Sequence, residues 1–498
     1  MGSSNRGRGW LTAVFGLAAG LALAACSGGG SDGATGPAGP PGPAGPSGPP
    51  GANPSDTVIG PLEPLPGVQI VVTGVTDSTG GSLAVGDLVT VRFTAKTDAG
   101  VDLDVSKVGG AQIYLSGPTT NYQRVLLPQS DVATRAVNEG GGVWAYTFLA
   151  PIPALYPAPV NDTASFGLAD GELQGTALLD GTYTVGLQMY FYYDVNGVAT
   201  RDAGSQVHDV LFGAATSISH REVVANANCN VCHTELRAHG GSRVDVQLCQ
   251  LCHTAGSEDK NVATAAGGTP GVSVDWRVMI HKLHDAAHLP SVLGIGVDAS
   301  GNRIYTPTPK PLEYVGYQNA VVDLSHVGFP VWPSLSISMP RRTGYTAMSV
   351  NSANKAKEDA FLKGVVACAK CHGDPDGAGP APAPAQGGLY RTQPSRKVCG
   401  SCHDDIDWTK NYVANGITMP ANLSDATCSS CHSRRCSVCR AARATRCTPC
   451  ATTPPSSRRS SPSRTCSRTT SCSPRALRQV SGSSPTAPRF FGPVSASW

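Results

Sequence analysis

Hydrophobic and polar positions follow several regimes along the chain. An apolar stretch runs from Trp10 to Ala25. Between 66 and 216 come short apolar runs: Val68–Val72, then Leu88–Phe93, which alternates with period two, then Gln112–Leu115, Tyr122–Leu127, Val143–Phe148 and Tyr183–Tyr193. Gly, Asp, Asn and Pro separate them. Period two marks half-buried strands, and about seven strands in roughly 150 residues predict an all-β sandwich or small barrel. From 217 to 432 neither period persists, which predicts a mostly irregular region with short helices. No catalytic constellation stands out in the β region, so it reads as scaffold or docking surface.

The opening stretch is too short to span a bilayer comfortably and follows Arg6 and Arg8, as an export signal does. Its end, Leu23-Ala24-Ala25-Cys26, resembles the lipobox of bacterial lipoproteins. That resemblance implies cleavage after residue 25, lipid attachment at Cys26 and, with Ser27 rather than Asp next, an outer-membrane destination. Glycine then falls at every third position from Gly30 to Gly51 among prolines, the collagen period. The run is short for a triple helix, and 26–65 reads as an extended spacer.

Charge divides the chain unevenly. The formal net charge is +3, but residues 433–498 contain twelve Arg and no Lys, Asp or Glu. The first 432 residues therefore carry 26 basic and 35 acidic side chains, a net of −9, which argues against a nucleic-acid partner. Aromatic residues make up only 6% of the chain, little for a conventional core of this size.

Cysteine supplies the chemistry. Cys-x-x-Cys-His occurs five times: Cys229/Cys232/His233, Cys249/Cys252/His253, Cys368/Cys371/His372, Cys399/Cys402/His403 and Cys428/Cys431/His432. Two thiols three positions apart reach the two vinyl groups of one haem, and the adjacent His lies under the iron as proximal ligand. Cys229, Cys232, Cys249 and Cys252 also fit the spacing of a zinc ribbon. Zinc and disulfides, however, leave the five adjacent histidines unexplained. Five covalent haems c in 217–432 would supply much of that region's buried surface.

A bis-His iron needs a second imidazole. Seven His lie outside the motifs: His208, His220, His239, His281, His284, His288 and His326. Trp276-Arg277-Val278-Met279-Ile280-His281-Lys282-Leu283-His284 resembles the Met-Ile-His-Lys-Ile-His stretch of OmcA/MtrC-type outer-membrane multihaem cytochromes. Leu236-Arg237-Ala238-His239-Gly240-Gly241, Asp323–Pro330 around His326, and Pro394–Asp405 are similar to the same family. The resemblance implies distal roles for His239, His281, His284 and His326, with His281 and His284 serving different haems. A further ligand stays open among His220, His288 and His208, and His220 is carried forward. Related sequences often have a His between the fourth and fifth motifs, whereas this chain has none there.

The resemblance further implies a cell-surface outer-membrane lipoprotein. Its five haems would take electrons from periplasmic cytochromes through a porin–cytochrome conduit. They would deliver them to Fe(III) or other metal oxides, chelated metals or flavins. Metal reduction is then the one enzymatic activity in view. The alternative is a nitrite- or hydroxylamine-type reductase, which needs an open haem and usually carries Lys in place of one motif His. After His432 the composition turns to Arg, Ser, Pro and Cys, and 433–498 reads as disordered or out of frame; on the latter reading the family's second β-plus-pentahaem half is expected to be missing from this product.

Overall fold

The computed structural model describes residues 58–60, 62–76, 81–259, 272–316, 319–329, 348–349, 351–363, 368–373, 383–414 and 417–427. The signal, Cys26, most of the Gly/Pro spacer, the fifth motif (Cys428, Cys431, His432) and the tail lie outside these residues.

Nine strands occupy the first part: β1 Val58–Ile59, β2 Gln69–Thr76, β3 Thr90–Lys96, β4 Gly110–Gly117, β5 Gln123–Gln129, β6 Val137–Gly140, β7 Val143–Thr147, β8 Gly181–Val195 and β9 Val198–Phe212. They form two sheets. One has the order β2-β3-β7-β6; the other runs β1-β8-β4-β5, with β9 also paired to β8. Val91, Phe93 and Ala95 alternate inward along β3, as their period-two spacing requires. Val72, Phe93 and Tyr146 of one sheet share an apolar cluster with Ile113, Leu115, Val185, Leu187 and Phe191 of the other. Two sheets facing across a common core make a sandwich.

The long hairpin β8–β9 departs from the sequence expectation, which ended the last strand at Tyr193. Its turn is Asn196-Gly197, with φ of 53° and 81°. Both values are positive, as the favoured two-residue hairpin turn demands. Pairing then runs without interruption from Val195↔Val198 to Gly181↔Phe212.

Most of β8 is buried on both faces. Tyr183, Val185, Leu187 and Met189 point into the sandwich, while Thr182, Thr184 and Gln188 on the opposite face are equally covered. The cover over the middle of β8 is the helix Val246–Cys252, which carries the second Cys-x-x-Cys-His motif. Leu248 and Leu251 pack with Tyr114 of β4, and Ser116 Oγ donates to the Leu251 carbonyl at 2.7 Å. Burying each leucine contributes roughly 2 kcal/mol. Gly186 makes this approach feasible: a Cβ there would lie 2.6 Å from Tyr114 and 2.7 Å from Leu251.

From Ala225 onward the chain forms short helices and two-stranded ladders. The longer helices are Val246–Cys252, Trp276–Asp285, Ala353–Phe361 and Arg396–Cys402. Apolar clusters here are small, such as Ala286, Leu289, Leu312 and Leu324. Among the described residues no helix is long and apolar enough to cross a membrane.

Candidate haem-binding site

All four described motifs adopt the same backbone turn. The His N–H donates to the carbonyl of the first Cys, four residues earlier, at 3.0 Å in each: His233 to Cys229, His253 to Cys249, His372 to Cys368 and His403 to Cys399. This helical turn sets Cys i, Cys i+3 and His i+4 on one face. Caps fix where two of the turns begin. Asp245 accepts from Gln247 N at 2.9 Å, and Ser395 accepts from Val398 N at 3.3 Å.

Three motif histidines meet a histidine from outside the motifs. His233 and His284 have ring centroids 6.2 Å apart, His253 and His239 5.9 Å, and His372 and His281 6.2 Å. A metal–imidazole bond of about 2 Å on each side, with about 1 Å from nitrogen to ring centre, predicts a separation of about 6 Å for two imidazoles sharing one iron. His281 and His284 stand on the helix Trp276–Asp285 and serve the third and first motifs respectively. His239 reaches His253 through a left-handed turn: His239, Gly240 and Gly241 have φ of 52°, 67° and 83°.

Hydrogen bonds orient several rings. Nδ1 of His253 faces the Val274 carbonyl (2.9 Å), that of His281 the Arg277 carbonyl (2.5 Å), and that of His284 the Ile280 carbonyl (2.8 Å). With Nδ1–H donating to a carbonyl, Nε2 keeps its lone pair for a metal. Burial, the His253 charge and Arg243 push His239 down to about 4. Burial and His281 push His372 to about 4 as well. Both imidazoles are therefore neutral, and ready to ligate, near pH 7. Burial raises the thiols, Cys249 to about 12 and Cys371 to about 11, so they are not activated as nucleophiles.

The donor set fits haem. Among the described residues no three His, Cys, Asp or Glu side chains gather to hold an ion. The histidines meet in twos instead, which is the protein's share of an iron whose other four ligands come from a porphyrin.

The motifs also adjoin one another. Cys249 senses the charge of Cys229, Cys371 that of Cys229 and Cys232, and Cys402 that of Cys368. Asn228 Nδ2 donates to the Cys371 carbonyl at 2.8 Å. The neighbour order is second, first, third, fourth.

Two carboxylates clamp the ligand-bearing helix to the fourth motif. Asp275, 2% exposed at its side chain, caps the helix through Arg277 N (2.9 Å) and binds Lys397 (2.6 Å) and the Arg277 guanidinium (3.0 Å). Asp404 binds Lys282 (2.8 Å) and Ser291 N and Oγ (3.0 and 2.7 Å). Aromatic rings line the histidines: Tyr390 lies 5.0 Å from His372, Phe361 5.7 Å from His403 and Phe329 6.1 Å from His284. Sequence reasoning assigned neither the clamps nor these rings. The acidic pair directly after the fourth motif was the available signal for one clamp.

The remaining histidines stand apart from these pairs. His326 occupies an exposed turn. His220 is exposed, with Nδ1 2.7 Å from Asp209. His208 lies on β9 opposite Val185. His288 is half-buried, and its Nδ1 has no hydrogen-bond partner among the described residues.

Residues 221–444 match the family described as outer membrane cytochrome MtrC/MtrF-like, domains II/IV. By that match the segment is similar to the MtrC/MtrF-like cytochromes. The multiheme cytochrome MtrC of Shewanella baltica (strain OS185) is 27% identical over 247 residues, covering 46% of this chain and 32% of that protein. The chain thus spans about a third of the length of the curated relative it matches. Two solved structures are also similar. The outer membrane decaheme cytochrome OmcA has a TM-score of 0.43 at 19% identity, covering 75% of this chain and 46% of that one. MtrC from S. baltica OS185 has a TM-score of 0.39 at 17% identity, covering 74% and 43%. The MtrC/MtrF-like match covers all five motifs and His239, His281, His284 and His326.

Proposed function

We propose that the chain is an electron-transfer protein that carries five covalently attached haems c on residues 217–432 and passes electrons to acceptors outside the cell. The observation that carries this reading is the meeting of three motif histidines with three others at the separation a shared iron requires. Attached haem supplies one-electron Fe(III)/Fe(II) chemistry, tuned by ligand identity, burial and hydrogen bonding. The chain's residues do the rest. Cys pairs would attach the haems, the three His pairs would each supply two ligands to one iron, and backbone carbonyls orient His253, His281 and His284. At those three sites substrate would have no place at the metal. Transfer through a row of adjacent sites is the chemistry that remains.

Cys26 anchors the protein by lipid to the outer membrane, and the Gly/Pro spacer holds the body away from it. Periplasmic cytochromes and a porin conduit supply electrons. Metal oxides, chelated Fe(III) and flavins accept them. The test is anaerobic stopped-flow mixing of the dithionite-reduced holoprotein with ferric citrate or a flavin. All haem absorbance should return to the oxidised form, and cyanide or nitrite should leave the oxidised spectrum unchanged. Consumption of nitrite with a cyanide-sensitive high-spin band would overturn the reading in favour of an oxyanion reductase.

A further inference from the structure

Charge is unequally distributed among the four described motifs. At the second motif, Arg243 acts on Cys252 and His253, yet its hydrogen bonds go to uncharged groups, Gln112 Oε1 at 2.5 Å and Ser242 Oγ at 2.6 Å. Arg124, half-buried on β5, acts on Cys252, and its guanidinium makes no hydrogen bond or ion pair among the described residues. Arg221 is likewise without such a partner; it lines a cleft of ≈ 270 Å³ with Tyr122, His253, Trp276 and Arg277. The carboxylates at this corner are few or already engaged. Asp245 caps the motif helix and acts on Cys249, and Asp275 acts on His253; these two carboxylates stand against the three arginines. Asp275 is shared by Arg277 and Lys397, and Asp209 by His220 and Thr184. Glu172, beyond Gly256, acts with Glu258, Asp162 and Asp170 around Lys397.

The fourth motif has the opposite balance. Asp285 hydrogen-bonds Cys402, Asp405 acts together with His403, and Asp404 and Glu358 lie behind them. Against these four carboxylates stand Lys282 and Arg303, while Lys357 donates to the carbonyls of Gly294 and Tyr305. Among the described residues no Lys, Arg, Asp or Glu acts on Cys229 or His233 of the first motif, and the third has Arg391 near Cys368.

Reduction adds one negative charge to a haem. Nearby cations favour the reduced state and nearby carboxylates the oxidised one, most strongly where water is excluded. We propose that Arg124, Arg221 and Arg243 make the haem of the second motif the electron sink of the four, and that the carboxylates around the fourth motif make its haem the lowest in potential. Electrons then drain from the fourth motif through the third and first to the second, against the β sandwich. This inference rests on the haem reading above.

The experiment is a potentiometric titration of the full-length holoprotein, followed by haem absorbance and by voltammetry. C249A/C252A, which lacks the second haem, identifies its wave, and C428A/C431A sets aside that of the fifth. The highest of the four remaining waves should vanish in C249A/C252A. In R124Q/R221Q that wave alone should move to lower potential, and R124K/R221K should restore it. Persistence of the highest wave in C249A/C252A would overturn the inference, as would R124Q/R221Q protein of full haem content with unmoved waves. If the glutamine variant does not fold, the C249A/C252A result decides alone. No redox wave at all would overturn the haem reading itself.

Discussion

His281 and His372 stack with ring centroids 6.2 Å apart and planes 14° apart, although 91 positions separate them in sequence. One lies on the helix Trp276–Asp285 and the other closes the third Cys-x-x-Cys-His motif. Three positions further along that helix, His284 turns to His233 of the first motif. A single helix thereby ties two attachment sites together.

This geometry predicts separable losses. His281→Ala should convert one haem equivalent, that of the third motif, from low-spin to high-spin. His284→Ala should do the same to the haem of the first motif. Electron paramagnetic resonance of each variant, paired with deletion of the corresponding cysteines, checks the assignment. Conversion of the same haem by both substitutions would refute it.

Acid should leave ligation undisturbed over a wide range. His239 and His372 are pushed down to about 4 from an ordinary value near 6.5. Their lowered native values mean that the unfolded chain takes up protons first, so stability falls as pH drops through 6.5 towards 4. Their rings nevertheless stay neutral in the folded protein until about pH 4. The low-spin spectrum should therefore hold from pH 8 to about pH 5. A high-spin transition centred near pH 6.5 would contradict the burial of these rings.

Asp275 is engaged by a helix N–H and two cations. Burial alone would raise it, but Arg277 and Lys397 hold it below the ordinary carboxylate range. Its contribution is thus complete above about pH 4 and is lost as pH falls through the lower native value. Asp275→Ala removes a helix cap and leaves two cations unpaired, and should cost about 3–5 kcal/mol at pH 7. Urea unfolding at pH 7 and pH 3 measures it, with the difference from the parent shrinking in acid. An equal loss at both values would show that the ion pairs contribute little.

Gly186→Val should push the second motif off the sandwich. The new side chain would meet Tyr114, Leu251 and Leu248, whose nearest atoms already lie 2.6–3.0 Å from the position of a Cβ. A loss of about 1–3 kcal/mol is expected from such overpacking. Amide exchange should rise in Val246–Cys252 and remain unchanged in the Arg396–Cys402 helix. Uniform protection would argue against close contact at this seam.

Much of this architecture was legible in the sequence. Short apolar runs located β2, β3, β4, β5, β7 and most of β8, with period-two alternation read in β3, because each strand places one face in the sandwich. β9 was missed because Thr200–Asp209 carries polar and small residues on both faces, its burial coming from β8 and the tertiary cover. The Asn196-Gly197 turn was the available signal for it. At the site, the motif spacing revealed the attachment cysteines because that spacing is local chemistry. His239, His281 and His284 came from resemblance, and their partners only from the structure, since pairing across up to 91 residues leaves no period to read. Arg124 and Arg221 left no trace in sequence: their importance lies in the ion pairs they do not make among the described residues.

The most direct test of the account is haem stoichiometry. Full-length protein from a host with c-type maturation should be assayed by pyridine haemochrome absorbance per chain and by the mass of the denatured polypeptide. Five Cys-x-x-Cys-His motifs predict five haems that remain attached after denaturation. A polypeptide mass without added haem, whatever else it binds, would contradict the account.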